Sequence, residues 1–222
     1  MYRNTLGNIM RAFQKLPIIK GENEIKNEPM LFSSDIGFAD DNGGEITLRV
    51  LDTLMNSLTI QELNTAIIDT RVHMLKPGWN PAIPGWHRDA IPRGPDGQPD
   101  FSHKAIPNMT HYTCIVDYKT NSLTQFLNVR VHENQFSMTN GNTWGHHSEE
   151  INDMIYMNEV RTTSVMNGLI YQFDAYDYHR SMPATAHGWR FFLRCSCGTL
   201  STPRNEIRRQ TQVYIEKKDL GW

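Results

Sequence analysis

The chain has 222 residues, enough for one domain with a substantial core. Its formal net charge of −2 sets no global basic field, which argues against a protein built mainly to coat nucleic acid. No apolar run approaches the ~20 residues of a membrane span, and a mean hydropathy of −0.52 with frequent Gly and Pro suits a loop-rich soluble β protein, expected in the cytoplasm. The three cysteines, Cys114, Cys195 and Cys197, give no disulfide framework and fit a reducing compartment. On a strand, the Cys-x-Cys pair is expected to pack into a core.

The first twenty residues carry Arg3, Arg11, Lys15 and Lys20 without an acid and lack an apolar signal core. Leu6, Ile9, Met10, Phe13 and Leu16 stand at helical spacing, so 5–16 reads as a helix stopped by Pro17. Residues 20–45 are charged and turn-rich, with 40–44 as a loop. Residues 46–51 fit either a strand or the start of a helix. Thr59 followed by Glu62 forms a capping box, which predicts a helix over 60–69. A strand is predicted over 71–75, then a rigid proline-rich loop over 76–85.

Past residue 89 the chain is polar and turn-rich to residue 100, a surface loop in which Arg93 and nearby Lys104 could meet an anion. Strands rich in Thr, Tyr, Val, Ile and Phe are predicted over 111–118 and 123–131, joined as a hairpin by 117–122. A loop over 139–147 leads to a helix over 148–157, with Ile151, Met154 and Ile155 inward. Residues 160–164 and 169–173 read as a hairpin about Asn167-Gly168. A strand is expected over 189–196, with Arg190, Phe192 and Arg194 on one face and Phe191, Leu193 and Cys195 on the other. The tail is basic, through Arg204, Arg208, Arg209, Lys217 and Lys218, and 213–215 reads as a last strand. A solvated face is the plain reading of that tail; contact with nucleic acid or an acidic partner is the alternative.

Chemistry concentrates at Gly85-Trp86-His87-Arg88-Asp89. On a strand, His87 and Asp89 point to the same side, so an imidazole and a carboxylate can meet one cation. His179, after the strand-like run 168–173, is the best third ligand. Two His and one carboxylate leave other positions of a metal open, as in the facial triad of non-haem Fe(II) oxygenases. Arg190, downstream of His179, could clamp a carboxylate in bidentate fashion. Asp174 or Asp177 could orient a ligand imidazole from behind. Trp86 could wall a substrate pocket.

The order His-x-Asp, long gap, His179, then Arg190 resembles the Fe(II)/2-oxoglutarate-dependent dioxygenases, with the spacing of the phytanoyl-CoA hydroxylase-like and taurine dioxygenase-like branches. It covers roughly residues 70–200. The resemblance implies a mainly β fold, a double-stranded β-helix (jelly-roll, cupin-like) with helices packed outside one sheet. Residues 1–69 would be supporting elements, 70–200 the core and 201–222 an extension. It implies Fe(II) on His87, Asp89 and His179, 2-oxoglutarate on Arg190 with Ser181 near its carboxylate, and dioxygen as the third participant. Tyr112 and Gln125 are further cosubstrate candidates, while Arg194, Trp86 and Arg93 are candidates for substrate. The implied reaction is hydroxylation of an unactivated C–H bond in a small anionic substrate, with succinate and CO2 released. Asp89, where halogenases leave room for halide, disfavours halogenation. The alternatives are a cupin-like metalloenzyme without 2-oxoglutarate and a non-catalytic jelly-roll binding module.

Overall fold

The computed structural model describes residues 11–16, 21–137, 142–199 and 201–215. In chain order the elements begin with β1 (Arg11–Lys15), α1 (Glu22–Lys26), β2 (Met30–Phe32), α2 (Ile36–Asn42), α3 (Glu45–Met55) and α4 (Ile60–Asn64). They continue with β3 (Ile67–Leu75), β4 (Trp79–Asn80), β5 (Thr110–Tyr118), β6 (Thr124–Leu127), α5 (Thr143–Tyr156) and β7 (Thr162–Ser164). The last are β8 (Leu169–Asp174), β9 (His179–Ser181), β10 (Gly188–Cys197), β11 (Glu206–Arg208) and β12 (Tyr214–Ile215).

The protein is mainly β. A five-stranded antiparallel sheet runs β1-β8-β5-β10-β3, and a three-stranded sheet runs β7-β6-β9. An isolated bridge from His87 to His179 extends the smaller sheet beyond β9. Ile115, Phe126, Phe173 and partly buried Phe192 pack together between the two sheets, with the Phe126 and Phe173 ring centroids 5.0 Å apart. The other face of the large sheet carries Cys114, Phe191, Leu193 and Cys195, packed against Ile25, Ile46, Val50 and Leu54 of α1 and α3. Burial of such side chains is worth roughly 1.5–3 kcal/mol each. The Cys195 and Cys197 sulfurs are 3.9 Å apart inside this core. Helices are not confined to one sheet, because α5 packs Ile151 and Met154 on Trp86, Leu127 and Tyr178 beside the smaller one. Among the described residues, no helix is long and apolar enough to cross a membrane.

Several expectations are corrected. The described part of the segment read as a helix over 5–16 is the edge strand β1, because the open edge of β8 takes it in antiparallel register; residues 5–10 lie outside the described residues. The turn-rich 20–45 holds three elements. Asp35 starts α2, its side chain accepting from the Phe38 N–H at 2.8 Å. Gly43 and Gly44 then separate α2 from α3, which resolves 46–51 as helix. A Cβ at Gly43 would lie 2.6 Å from the Ala39 carbonyl, and one at Gly44 would lie 2.6 Å from Glu28. Glu28 occupies that space because its carboxylate caps α3, accepting from Ile46 N at 2.5 Å and Thr47 Oγ1 at 2.6 Å. The capping box at Thr59 and Glu62 forms, but α4 ends at Asn64, and Ile67 already belongs to β3.

Neither expected hairpin forms. β5 lies in the large sheet and β6 in the small one, so 119–123 crosses between sheets; likewise β7 and β8. Lys119 and Asn121 take positive φ at the first crossing, with Asp117 accepting from Thr120 Oγ1 and from Asn121 N. β6 stops at Leu127, short of the expected 131, and α5 starts at Thr143 and so contains His146 and His147. In the tail, β12 covers Tyr214–Ile215, while Lys217 and Lys218 lie outside the described residues.

Candidate metal centre

His87 and His179 meet through the backbone. Each donates its N–H to the other's carbonyl at 3.0 Å, a single antiparallel bridge at the end of the small sheet. Their ring centroids are 4.7 Å apart. The His87 Nδ1 lies 3.0 Å from the Gly85 carbonyl and the His179 Nδ1 lies 3.1 Å from the Asp177 carbonyl. Both contacts fix the rings and leave Nε2 facing inward. The Asp177 carboxylate does not orient the ring; it accepts from Asp174 N at 2.9 Å and lies 3.7 Å from Arg130.

Asp89 points to the same side as His87, and Arg88 between them points away. Arg88 is buried, donates to the Ala175 carbonyl at 2.6 Å and faces the rings of Phe101 and Tyr176. One ligand atom from each of His87, Asp89 and His179 lies within 4.8 Å of the others. His179 Nε2 is 3.4 Å from Asp89 Oδ2. Phe126 and Phe173 flank the His179 ring, each with its centroid 5.2 Å away.

Burial pushes the His87 imidazole down to about 4, with His179 adding to the effect, so the ring is neutral and its lone pair is available. Burial alone would raise the Asp89 carboxyl. Arg194 and the two imidazoles outweigh it and hold the group well below the usual carboxylate range. Arg194 Nη1 is 2.7 Å from Asp89 Oδ2, and its Nη2 is 3.1 Å from Asp69 Oδ2. Its own pKa is raised, because the two carboxylates overcome burial.

A cavity of about 1100 Å³ opens in front of these groups. Strand alternation and register define its floor. On β10, Arg190, Phe192 and Arg194 face it, opposite His73, Arg71 and Asp69 of β3. Arg190 is buried and donates Nε to the Ser122 carbonyl at 2.7 Å. Among the described residues no carboxylate pairs with it. Burial depresses the guanidinium to about 10, with Asp117 opposing that shift.

The remaining candidates divide. Ser181 and Arg93 line the cavity, and Trp86 borders it, although its indole is fully buried with Nε1 donating to Asn152 at 3.1 Å. Tyr112 lies on the other face of β5, in the helix-covered core, with its hydroxyl 3.2 Å from Glu62. Gln125 accepts from Arg180 at 2.9 and 3.0 Å and does not line the cavity; its neighbour Thr124, paired with Ser181, does. Lys104 is exposed and away from it. His147 lies 2.7 Å from Tyr178 OH in an aromatic cluster, and His146 faces Glu150. Missed at the sequence level were Asp69, Arg71 and His73, Thr113 and the tail segment reaching Tyr214. The period-two polar pattern Asp69-x-Arg71-x-His73 was the available signal.

Two buried imidazoles outside the triad set an acid limit on stability. His111 has Nδ1 2.9 Å from Ser196 Oγ, and its buried Nε2 has no partner among the described residues. His73 has Nε2 2.9 Å from Thr211 Oγ1. Burial pushes both down to about 3, with Arg190 and Arg71 adding to the effect at His73. The unfolded chain, with ordinary imidazoles near 6.5, therefore binds more protons between the two values. Stability is fully present above about pH 6.5 and falls as pH drops toward 3, by up to about 1.4 kcal/mol per pH unit for each group. The urea midpoint of metal-free protein is expected to fall between pH 7 and 5, and His111→Gln to flatten the slope. An unchanged slope in that variant would remove His111 from the account.

No family model matches the sequence, and no curated protein matches it. Solved structures resemble it loosely. One is a non-haem monooxygenase, ThoJ, in its apo form, with TM-score 0.42, 10% identity, and 93% of this chain and 80% of that chain covered. AviO1 from Streptomyces viridochromogenes Tue57 has TM-score 0.39 and 13% identity over 86% of this chain and 75% of that one. The Kdo hydroxylase KdoO, a non-haem Fe(II) α-ketoglutarate-dependent dioxygenase solved with cobalt(II), has TM-score 0.40 and 11% identity over 85% and 78%. What defines the site here is its own geometry.

Proposed function

We propose that this chain is an Fe(II)- and 2-oxoglutarate-dependent oxygenase that hydroxylates an unactivated C–H bond of a small anionic substrate. The observation that carries the reading is the pairing, in one cavity, of a two-His-one-carboxylate cluster with Arg190, a buried cation with no carboxylate ion pair among the described residues. A buried guanidinium left without an anion is costly, so an anionic ligand is the natural complement. The strand order supports a double-stranded β-helix. The chain alternates between sheets, and β8-β5-β10-β3 faces β7-β6-β9 with His87 as the fourth short strand.

In this reading His87 and His179, through Nε2, and one oxygen of Asp89 hold the iron. The donor set fits: two imidazoles, that of His87 neutral, an ionised carboxylate and ligand atoms close enough to share one ion. Arg194, 2.7 Å from Asp89 Oδ2, would keep that carboxylate ionised and oriented toward the two imidazoles. Arg190 holds the far carboxylate of 2-oxoglutarate, and the hydroxyls of Ser181 and Thr124 border the same space. Phe126 and Phe173 exclude water beside His179. When bound, iron, 2-oxoglutarate and dioxygen together supply the oxidising chemistry, with succinate and CO2 as co-products.

The test is anaerobic titration of the Fe(II)-loaded protein with 2-oxoglutarate. A weak visible charge-transfer band saturating at one equivalent is expected, followed on aeration by succinate. Iron binding without the band would favour a cupin-like metalloenzyme that does not use 2-oxoglutarate. Absence of iron binding would leave a non-catalytic jelly-roll module.

A further inference from the structure

Five arginines reach the cavity, and three of them are accounted for. Arg194 is divided between Asp69 and Asp89. Arg190 is tied to the Ser122 carbonyl and serves the cosubstrate in the reading above. Arg93 folds onto its own loop, donating to the Gly97 carbonyl at 2.6 Å. That leaves Arg71 and Arg208.

Arg71 stands on β3 between Asp69 and His73, opposite Phe192. Its Nη1 donates to two carbonyls, Thr70 at 2.8 Å and Leu31 at 3.4 Å, and it makes no ion pair among the described residues. Arg208 closes β11, which pairs with β2, and makes no ion pair among the described residues. Three guanidinium carbons lie near one ring, Phe32, at 3.4 Å for Arg208, 5.4 Å for exposed Arg204 and 5.8 Å for Arg71. Like charges are thus gathered around a single aromatic ring, and of the three Arg71 and Arg208 also line the cavity. Burial, then the charge of Arg208, pushes the Arg71 pKa down, so the repulsion is felt. The nearby acid cannot relieve it fully. Asp69 already accepts from Ser33 N at 3.1 Å and from Arg194 at 3.1 Å. Neutral hydrogen-bonding groups, Gln210, Gln212 and Tyr214, border the same wall.

An anion bridging the two guanidiniums would turn this repulsion into attraction, and planar forks suit an oxyanion. We infer that Arg71 and Arg208 form an anion subsite on the β3–β11 wall of the cavity, which takes the charged end of the substrate, a phosphate-class dianion. Two unneutralised guanidiniums match a double charge better than a single one. The inference rests on the oxygenase reading only in calling the bearer of that anion the substrate. Placed there, the anion is separate from the clamp at Arg190, so cosubstrate and substrate would not compete for one cation.

The probe is inorganic phosphate, titrated calorimetrically into metal-free full-length protein at low ionic strength, with propionate as the singly charged comparison. Phosphate is expected to bind wild type and the Arg190→Gln variant about equally. Arg71→Gln and Arg208→Gln are each expected to weaken it about tenfold or more, equivalent to about 1.4 kcal/mol, and Arg71→Lys to retain an intermediate affinity. Propionate is expected to bind more weakly than phosphate. Thermal midpoints of all variants establish that they fold, and Arg208→Gln, on a short outer strand, serves if Arg71→Gln does not. Unchanged phosphate affinity in both Gln variants, loss confined to Arg190→Gln, or no phosphate binding by wild type would each overturn the subsite. Equal binding of propionate would overturn the dianion. If phosphate binds as expected while the 2-oxoglutarate band fails to appear, the oxygenase reading falls and the subsite stands.

Discussion

Replacing His179 by Ala is expected to lower affinity for divalent iron by more than about a hundredfold, since loss of even an outer-shell partner commonly costs 10–100-fold. In the proposed reading His179 is one of three ligands, and no other His, Cys, Asp or Glu among the described residues completes a three-donor group with His87 and Asp89. Of the other imidazoles near the cavity, His73 bonds Thr211 and His111 bonds Ser196, each through one ring nitrogen. His87→Ala and Asp89→Ala are expected to behave alike, because each leaves only two donors. The measurement is metal per chain after equilibrium dialysis against Co(II) or anaerobic Fe(II). In Asp89→Ala, Arg194 keeps Asp69 as a partner, so a folded protein is expected. Metal content unchanged in all three variants would sink the triad.

The second large effect belongs to Arg190. Arg190→Met removes the charge and fork while roughly conserving side-chain length. Loss of a desolvated charge pair to a ligand typically costs about 2–5 kcal/mol, or roughly 30-fold to several thousandfold in affinity for 2-oxoglutarate. Metal content should not change, which separates this variant from the ligand substitutions. Stability need not suffer, because the guanidinium is buried with a carbonyl as its named partner and an apolar residue avoids that desolvation. Arg190→Lys is expected to recover only part of the affinity, since an ammonium cannot present two parallel donors. A 2-oxoglutarate titration curve unaltered by Arg190→Met would show that the cosubstrate, if used, is held elsewhere.

Much of the site was legible in the chain because strands write their faces with a period of two. His87 and Asp89, or Arg190 and Arg194, are read directly from that rule, and the structure brings them to one cavity. The same rule fails when the register is taken one residue out. Gln125 was chosen where Thr124 faces the cavity. Tyr112 was chosen from a strand whose inward residues there are His111 and Thr113. Arg194 was expected at a substrate, but Asp69, distant in sequence, could not be seen as its partner. The missed crossings have a different cause. Alternation and turn residues look the same whether the chain folds back in one sheet or passes to another, so 117–122 and Asn167-Gly168 both read as hairpins. Helix α2 was hidden because Asp40 and Asp41 lie in its last turn, where acids oppose the helix dipole. The strand β1 was hidden because its apolar spacing suits a helix, while the edge that recruits it lies far along the chain.

The paired backbone hydrogen bonds between His87 and His179 have a consequence for how the protein is made. A growing chain releases His87 and Asp89 long before β9 emerges. Until that strand is in place, the first two ligands form an open fork that a hydrated ion can leave as easily as it enters. In the proposed reading, stable loading would therefore wait for β9, and the ion, once seated, would become a rivet between early and late parts of the chain. At a free metal concentration about a hundred times its dissociation constant, that rivet adds about 2.7 kcal/mol to stability. Scarcity of iron would then do more than idle the protein; it would shorten its lifetime.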